Sequence, residues 1–139
     1  FGLPDTFETR IYLMFIHFSI FMIITKKKGS KFDQKKYDFL FNNIENNLRE
    51  LGFGDVTVNK KMKDFNKILY DILLKLDLNK DDNKNFKINS SLIRNYFNSL
   101  NTKEIAKLAK FNDYFSSFFY FCFELSLDNM LEGSNKFKI

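Results

Sequence analysis

The sequence predicts an all-α single domain of about five or six helices arranged around a central apolar helix. Apolar residues recur at spacings of three and four over most of the chain, which is the period of a helix with one buried face. Only one proline and five glycines interrupt it, too few for the turns of a β-sandwich or barrel. With 139 residues, 45% of them hydrophobic, residues 1–139 are long enough to bury one core.

The central helix is the segment Ile11–Ile24, which is apolar except for His17 and Ser19. No polar stripe runs along it, so it belongs either in the middle of a bundle or in lipid. Its fourteen residues, at ~1.5 Å each, reach about 21 Å and fall short of the ~30 Å hydrocarbon core. We therefore favour a buried core helix.

Polar residues mark both ends of this helix. Asp5 or Thr6 is expected to cap its start, with Glu8 completing a capping box three residues after Asp5. The three lysines at 26–28 follow the apolar run and favour the negative C-terminal end of the helix.

Two amphipathic helices and a corner occupy Tyr37–Leu76, with Asp33 as the expected N-cap of the first. Gly52 is predicted to end this first helix in a left-handed conformation, with Phe53 packed back on Leu48 as in a Schellman motif. The apolar residues of the two helices are Tyr37, Leu40, Phe41, Ile44, Leu48 and Leu51, then Val58, Met62, Phe65, Leu69, Ile72 and Leu76. Faces joined by so short a corner pack on each other or on a shared third helix.

A polar segment follows the second of these helices. Residues 77–83 superficially resemble a calcium loop, but Asp82 replaces the required glycine and Ile88 replaces the bidentate glutamate. We therefore predict a polar loop through Lys87 that does not bind calcium. A short helix is expected from Asn89 or Ser90.

The last predicted helix runs from Thr102 to about Leu131 and ends near Gly133. It carries two apolar stripes, which are explained either by a core contact with the first helix or by a groove that receives an apolar client helix. We favour the core contact. The stripes are Leu108, Phe115, Phe119 and Cys122, and Phe111, Tyr114, Phe118, Phe121 and Leu125.

Catalytic motifs are not found in the sequence. One histidine and one cysteine exclude the usual zinc patterns, and the P-loop, G-x-S-x-G and G-x-G-x-x-G motifs are missing. His17 and Cys122 lie in apolar segments where burial keeps a thiol neutral and unreactive. We therefore predict a non-enzymatic protein with no cofactor, no metal and no small-molecule substrate.

Two polar groups are the candidate partner-binding residues. Arg49, Glu50 and Asp55 surround the corner that Gly52 and Gly54 shape, and they form either a network that fixes the corner or a contact site for a partner. The second group is a basic stripe on the next helix, either solvated or bound to an anionic partner such as lipid phosphate or ribosomal RNA. It consists of Lys60, Lys63 and Lys67.

The corner also carries a resemblance to a known family. The residues concerned are Phe41, Glu45, Leu48, Arg49, Glu50, Leu51, Gly52, Gly54, Asp55 and Val58, followed by Lys60, Met62 and Lys63. Their pattern resembles the signature of the ubiquinol–cytochrome c chaperone family, which assists assembly of cytochrome b into the bc1 complex. The opening residues 3–10, with His17, and later Arg94, Asn95 and Tyr96 are similar to further family positions. From about Lys103 onward there is little specific match.

The resemblance implies a non-enzymatic assembly chaperone whose partner is cytochrome b, and we expect a bacterial member. It also implies a cytoplasmic protein at the inner membrane, on the matrix side in a mitochondrion, near anionic lipid or the ribosome. Two alternatives come from the residues themselves: a membrane-surface module carried by Ile11–Lys28, and an RNA-binding domain carried by Lys60–Lys67. Because the chain starts at Phe1 without Met, we expect an upstream segment.

Overall fold

A computed structural model describes residues 3, 5–77, 88, 90–97 and 105–125. All regular structure in these residues is α-helical, which confirms the predicted fold class. The helices are α1 (Phe7–Lys27), α2 (Gln34–Glu50), α3 (Asp55–Asp77), α4 (Ser90–Tyr96) and α5 (Ile105–Glu124).

Helix α1 lies at the centre and packs on both α3 and α5. Its buried residues include neighbours such as Phe15 and Ile16, and Ile23 and Ile24, so more than one face is covered. This confirms the interpretation of an apolar run without a polar stripe.

The ends of α1 differ in part from expectation. Thr6 is the N-cap, and its hydroxyl accepts a hydrogen bond from the Thr9 backbone N–H at 3.1 Å. The predicted capping box between Asp5 and Glu8 is wrong, because the Asp5 carboxylate is held by the Arg10 guanidinium at 2.8 and 2.9 Å instead.

Helix α1 is also longer than its apolar run. Its 21 residues make it long and apolar enough by length and composition to cross a membrane, and half of its most apolar window is buried in the fold. The shorter reach calculated from Ile11–Ile24 omitted polar turns at both ends, including Glu8, Arg10 and Lys26. Contact with α3 and α5 places the helix in a protein core here.

Helices α2 and α3 form a hairpin whose apolar faces meet. Asp33 caps α2 as predicted, accepting a hydrogen bond from the Lys35 backbone N–H at 2.9 Å. The buried residues follow the predicted periodicity and are Phe41, Ile44 and Leu48 on α2, and Val58, Phe65, Leu69, Ile72 and Leu76 on α3.

Helix α4 contacts α3, and α5 covers another side of α1. Residues from both predicted stripes of α5 are buried, namely Phe111, Phe115, Phe118, Phe119 and Cys122. This favours the core contact over a client groove on this helix. The predicted polar loop between α3 and α4 and the predicted extension of α5 to Leu131 lie outside the described residues.

Candidate functional site: the corner between α2 and α3

A Schellman motif closes α2 and shapes the corner. Gly52 has a φ of +96°, and its backbone N–H donates to the Arg49 carbonyl at 3.0 Å. The Phe53 N–H donates to the Leu48 carbonyl at 3.3 Å. These two bonds confirm the predicted ending. The Phe53 ring remains 38% exposed, with Lys61 Nζ 4.9 Å from its centroid, and its contact with Leu48 stays a prediction.

Arg49 joins the two sides of this corner. Its guanidinium contacts Glu45 on its own helix at 3.3 Å and also pairs with Asp55, the first residue of α3. The hydrogen bond to Asp55, and then that to Glu45, raises the pKa of Arg49. Asp55 is additionally favourable at the positive N-terminal end of α3. All of these groups are accessible to solvent, with 81% of the Asp55 side chain exposed. The arrangement therefore links the two helices across the corner and leaves its charged atoms open to solvent.

Glu50 is separated from this ion-pair network. It has no ion pair among the described residues and lies on a cleft of about 450 Å³ between α1 and the end of α2. The predicted group of three charges thus divides into a bridging pair and a single carboxylate at a cleft. The cleft is lined by Phe7, Arg10, Ile11, Met14, Asn47, Glu50 and Leu51.

Exposed apolar side chains surround the corner, and sequence reasoning did not find them. Leu51 is 58% exposed, Val56 is 85% exposed and Met14 is 41% exposed. Leu51 was assigned to the buried face because its spacing from Leu48 fits the helical period. It is the C-cap residue, so the chain turns before its side chain reaches the core. The exposure of Val56 could have been predicted, because it lies two residues before the buried Val58 and so on the opposite side of α3.

The basic stripe is placed on α3 as predicted. Lys60, Lys63 and Lys67 are all exposed on the side of the helix that faces away from the core. None of the three forms an ion pair with any described residue. They are therefore available to an external anion.

The histidine and the cysteine serve the core. His17 Nδ1 donates to the Leu13 carbonyl at 2.7 Å, so Nε2 accepts a hydrogen bond from the Tyr114 hydroxyl at 2.8 Å. Burial lowers the pKa of His17, and it raises the pKa of Cys122 to about 11. With both ring nitrogens occupied and the thiol neutral, the two residues do not form a nucleophile and its base. Within the described segments no three His, Cys, Asp or Glu residues gather as a metal site.

These features define a helical domain whose candidate site is a contact surface. A scan of protein families identifies which kind of domain it is: the chain belongs to the ubiquinol-cytochrome C chaperone family, whose family model matches residues 1–137. This match confirms the resemblance found at the corner and extends it past Lys103 to almost the whole chain. A search of curated proteins and a search of solved structures found no match. Membership in this family implies a role in assembly of the bc1 complex, and the family is generally non-enzymatic.

Proposed function

We propose that this protein is a non-enzymatic chaperone that binds cytochrome b during assembly of the bc1 complex. The observation that carries the proposal is the family match over residues 1–137. We further propose that it acts without a cofactor, on the cytoplasmic side of the inner membrane or the matrix side in a mitochondrion. There it meets its client before or during insertion.

The corner and the adjacent cleft are the proposed client-binding surface. A membrane-protein client exposes apolar helices until it is inserted, and these need temporary cover. Leu51, Val56 and Met14 supply exposed apolar contact area, and the flexible methionine adapts to different client side chains. Arg49 and Asp55 add oriented polar groups beside them. An amphipathic client segment therefore meets apolar and charged contacts on one face of the domain.

The sequence-based alternative of a membrane-surface module relies on Ile11–Lys28. That segment forms most of α1, which packs against α3 and α5 and provides much of the core. Using it to bind lipid requires opening the bundle. Flotation with liposomes tests this alternative, since a membrane-surface module floats without any client.

The experiment that tests the proposed function is a crosslinked pull-down of the tagged, detergent-solubilised protein from its source cells, read by mass spectrometry. We expect enrichment of cytochrome b over other membrane proteins. Leu51→Ser should reduce that enrichment, whereas Phe39→Ser should not. Phe39 is the matched control because it is 70% exposed on the same helix, several turns from the corner. No enrichment with the wild-type protein would refute the client, and equal loss in both variants would refute the location.

The role of the Arg49 network is tested in the same assay. Arg49→Ala should reduce capture if the guanidinium contacts the client, and Lys110→Ala on the exposed side of α5 is the control. If Arg49→Ala lowers thermal stability but the folded fraction captures the client normally, the network only fixes the corner.

A further inference from the structure

The outward face of α3 carries a regular line of exposed side chains, of which the corner uses only the first, Val56. Its members follow one another at spacings of four, three, four, three and four, and over eighteen residues they extend about 27 Å at ~1.5 Å per residue. We call this line the outer seam of α3, and it consists of Val56, Lys60, Lys63, Lys67, Tyr70 and Leu74.

The outer seam lies opposite the core. At 100° per residue it is about 160° around the helix from the buried line that includes Val58, Leu69 and Leu76. Its apolar ends are open to solvent, with Val56 85% exposed, Tyr70 58% and Leu74 59%. Apart from Tyr37 beside Tyr70, the described residues leave the outer seam open to solvent.

The centre of the outer seam is cationic and unpaired. Lys60, Lys63 and Lys67 make no ion pair with any described residue, although Asp64 is exposed one turn from Lys60. The protein already carries a net charge of +5, so an anionic partner gains energy both locally and from the whole molecule. A complementary surface therefore has negative charge in its middle and apolar groups at its two ends.

We propose that the outer seam binds one α-helix of a partner protein, with carboxylates facing the three lysines and apolar residues facing Val56 and Leu74. Alternating steps of four and three are the spacing of a coiled-coil seam, and such a stripe is one residue wide. A membrane or a nucleic acid contacts a broader strip, and here it would meet Asp64 and Asn59 on the flanks. The lysine stems pack along the partner while their charged ends reach its carboxylates.

The same pattern argues against a second copy of this chain as the occupant. If two outer seams packed antiparallel in full register, Lys63 of each copy would face Lys67 of the other. In a parallel pair each lysine would face its equivalent. Like charges at facing positions oppose association, so the outer seam selects a different, acidic helix.

The test uses the full chain and a designed helical peptide with leucines at the outer positions and three glutamates at the central positions of a matching seam. Binding is measured by fluorescence anisotropy of the labelled peptide. We expect the glutamate peptide to bind and the corresponding lysine peptide not to bind. Replacing all three seam lysines by Gln should weaken binding about tenfold, since three exposed ion pairs at ~0.5 kcal/mol each give ~1.5 kcal/mol.

A charge exchange supplies the control. The triple variant with Lys60, Lys63 and Lys67 changed to Glu should lose the glutamate peptide and gain the lysine peptide. The matched variant changes Lys31, Lys35 and Lys36 to Glu, three exposed lysines near the start of α2, and should bind like the wild type. If the seam triple does not fold by circular dichroism, Lys63→Glu alone provides the comparison.

Several results would overturn the proposal. Equal binding of the two peptides would show that charge does not direct binding. Equal loss in both triple variants would show that total charge and not the seam controls it. If the wild-type protein does not bind the glutamate peptide but binds phosphatidylglycerol vesicles or single-stranded RNA through the seam lysines, the partner of the outer seam is a membrane or a nucleic acid. Because this assay contains no cytochrome b, its failure is independent of the proposed client.

Discussion

The Schellman ending of α2 gives a quantitative prediction about stability. Gly52 has a φ of +96°, and a Cβ added there would meet no atom within 4 Å. A substitution at this position is therefore penalised by backbone conformation alone, without a steric clash. For L-residues the left-handed conformation costs about 1–2 kcal/mol. We expect Gly52→Ala to destabilise the fold by about 1 kcal/mol, and Gly52→Val, with its branched Cβ, by about 2 kcal/mol.

Gly54 is the internal control for this prediction. It lies two residues away on the same corner, does not have a positive φ, and has equally open space around an added Cβ. Gly54 is the N-cap of α3, since its carbonyl accepts from the Val58 N–H at 2.9 Å, and alanine is a poorer N-cap than glycine. This loss offsets the ~0.4–1 kcal/mol that Gly54→Ala gains by restricting the unfolded chain. Gly54→Ala should therefore change the free energy of unfolding much less than Gly52→Ala does.

The assay is urea denaturation monitored by the circular dichroism signal of α-helix. The m-values of the variants are compared to verify that each unfolds with the same change in exposed surface. A difference of about 1 kcal/mol corresponds to roughly 3 °C in Tm for a domain of this size. Equal stability of Gly52→Ala and Gly54→Ala, with equal m-values, would refute the argument that a left-handed residue closes α2.

Three further predictions concern α1 and its contacts. Since burial lowers the pKa of His17, the neutral ring is favoured in the folded state. The free energy of unfolding should therefore be constant above pH 6.5, the ordinary pKa, and should fall as the pH drops through the lowered folded pKa. His17→Gln should make the free energy of unfolding, measured by urea titration at each pH, depend less on pH. With a pKa of about 11, Cys122 should react slowly with iodoacetamide at pH 8 in the folded protein and rapidly in urea; equal rates would contradict its burial. Ser19 is fully buried and its hydroxyl has no hydrogen-bond partner among the described residues, so Ser19→Ala should raise the free energy of unfolding by about 1 kcal/mol, whereas a loss would indicate a bond to bound water.

Local patterns predicted much of this fold. The periodicity of α2 and α3 identified their buried residues, and Gly52 identified the corner between them. The start of α2 after its N-cap Asp33 was predicted, whereas α3 begins at Asp55, before its first buried residue, Val58. Hydrophobic spacing detects the face that is buried and not the extent of the hydrogen-bonded helix.

Features that depend on contacts between distant segments could not be predicted from the sequence. The cleft between α1 and α2 requires knowledge of how these helices lie together, and no local pattern indicates that Glu50 turns towards it. The bond between His17 and Tyr114 joins residues 97 positions apart. The exposed Leu51 was assigned to the core because helical spacing alone does not show where the chain leaves the helix.

The burial of α1 by a late helix has a consequence for synthesis of the protein itself. The contact between His17 and Tyr114 spans 97 residues, so at about 5–20 residues per second the ribosome needs roughly 5 to 20 s to deliver α5 after α1. During that interval the side of α1 that α5 covers stays exposed, on a helix with the length and composition of a membrane span. A protein proposed to cover apolar helices of a client therefore exposes part of one of its own until α5 has been made.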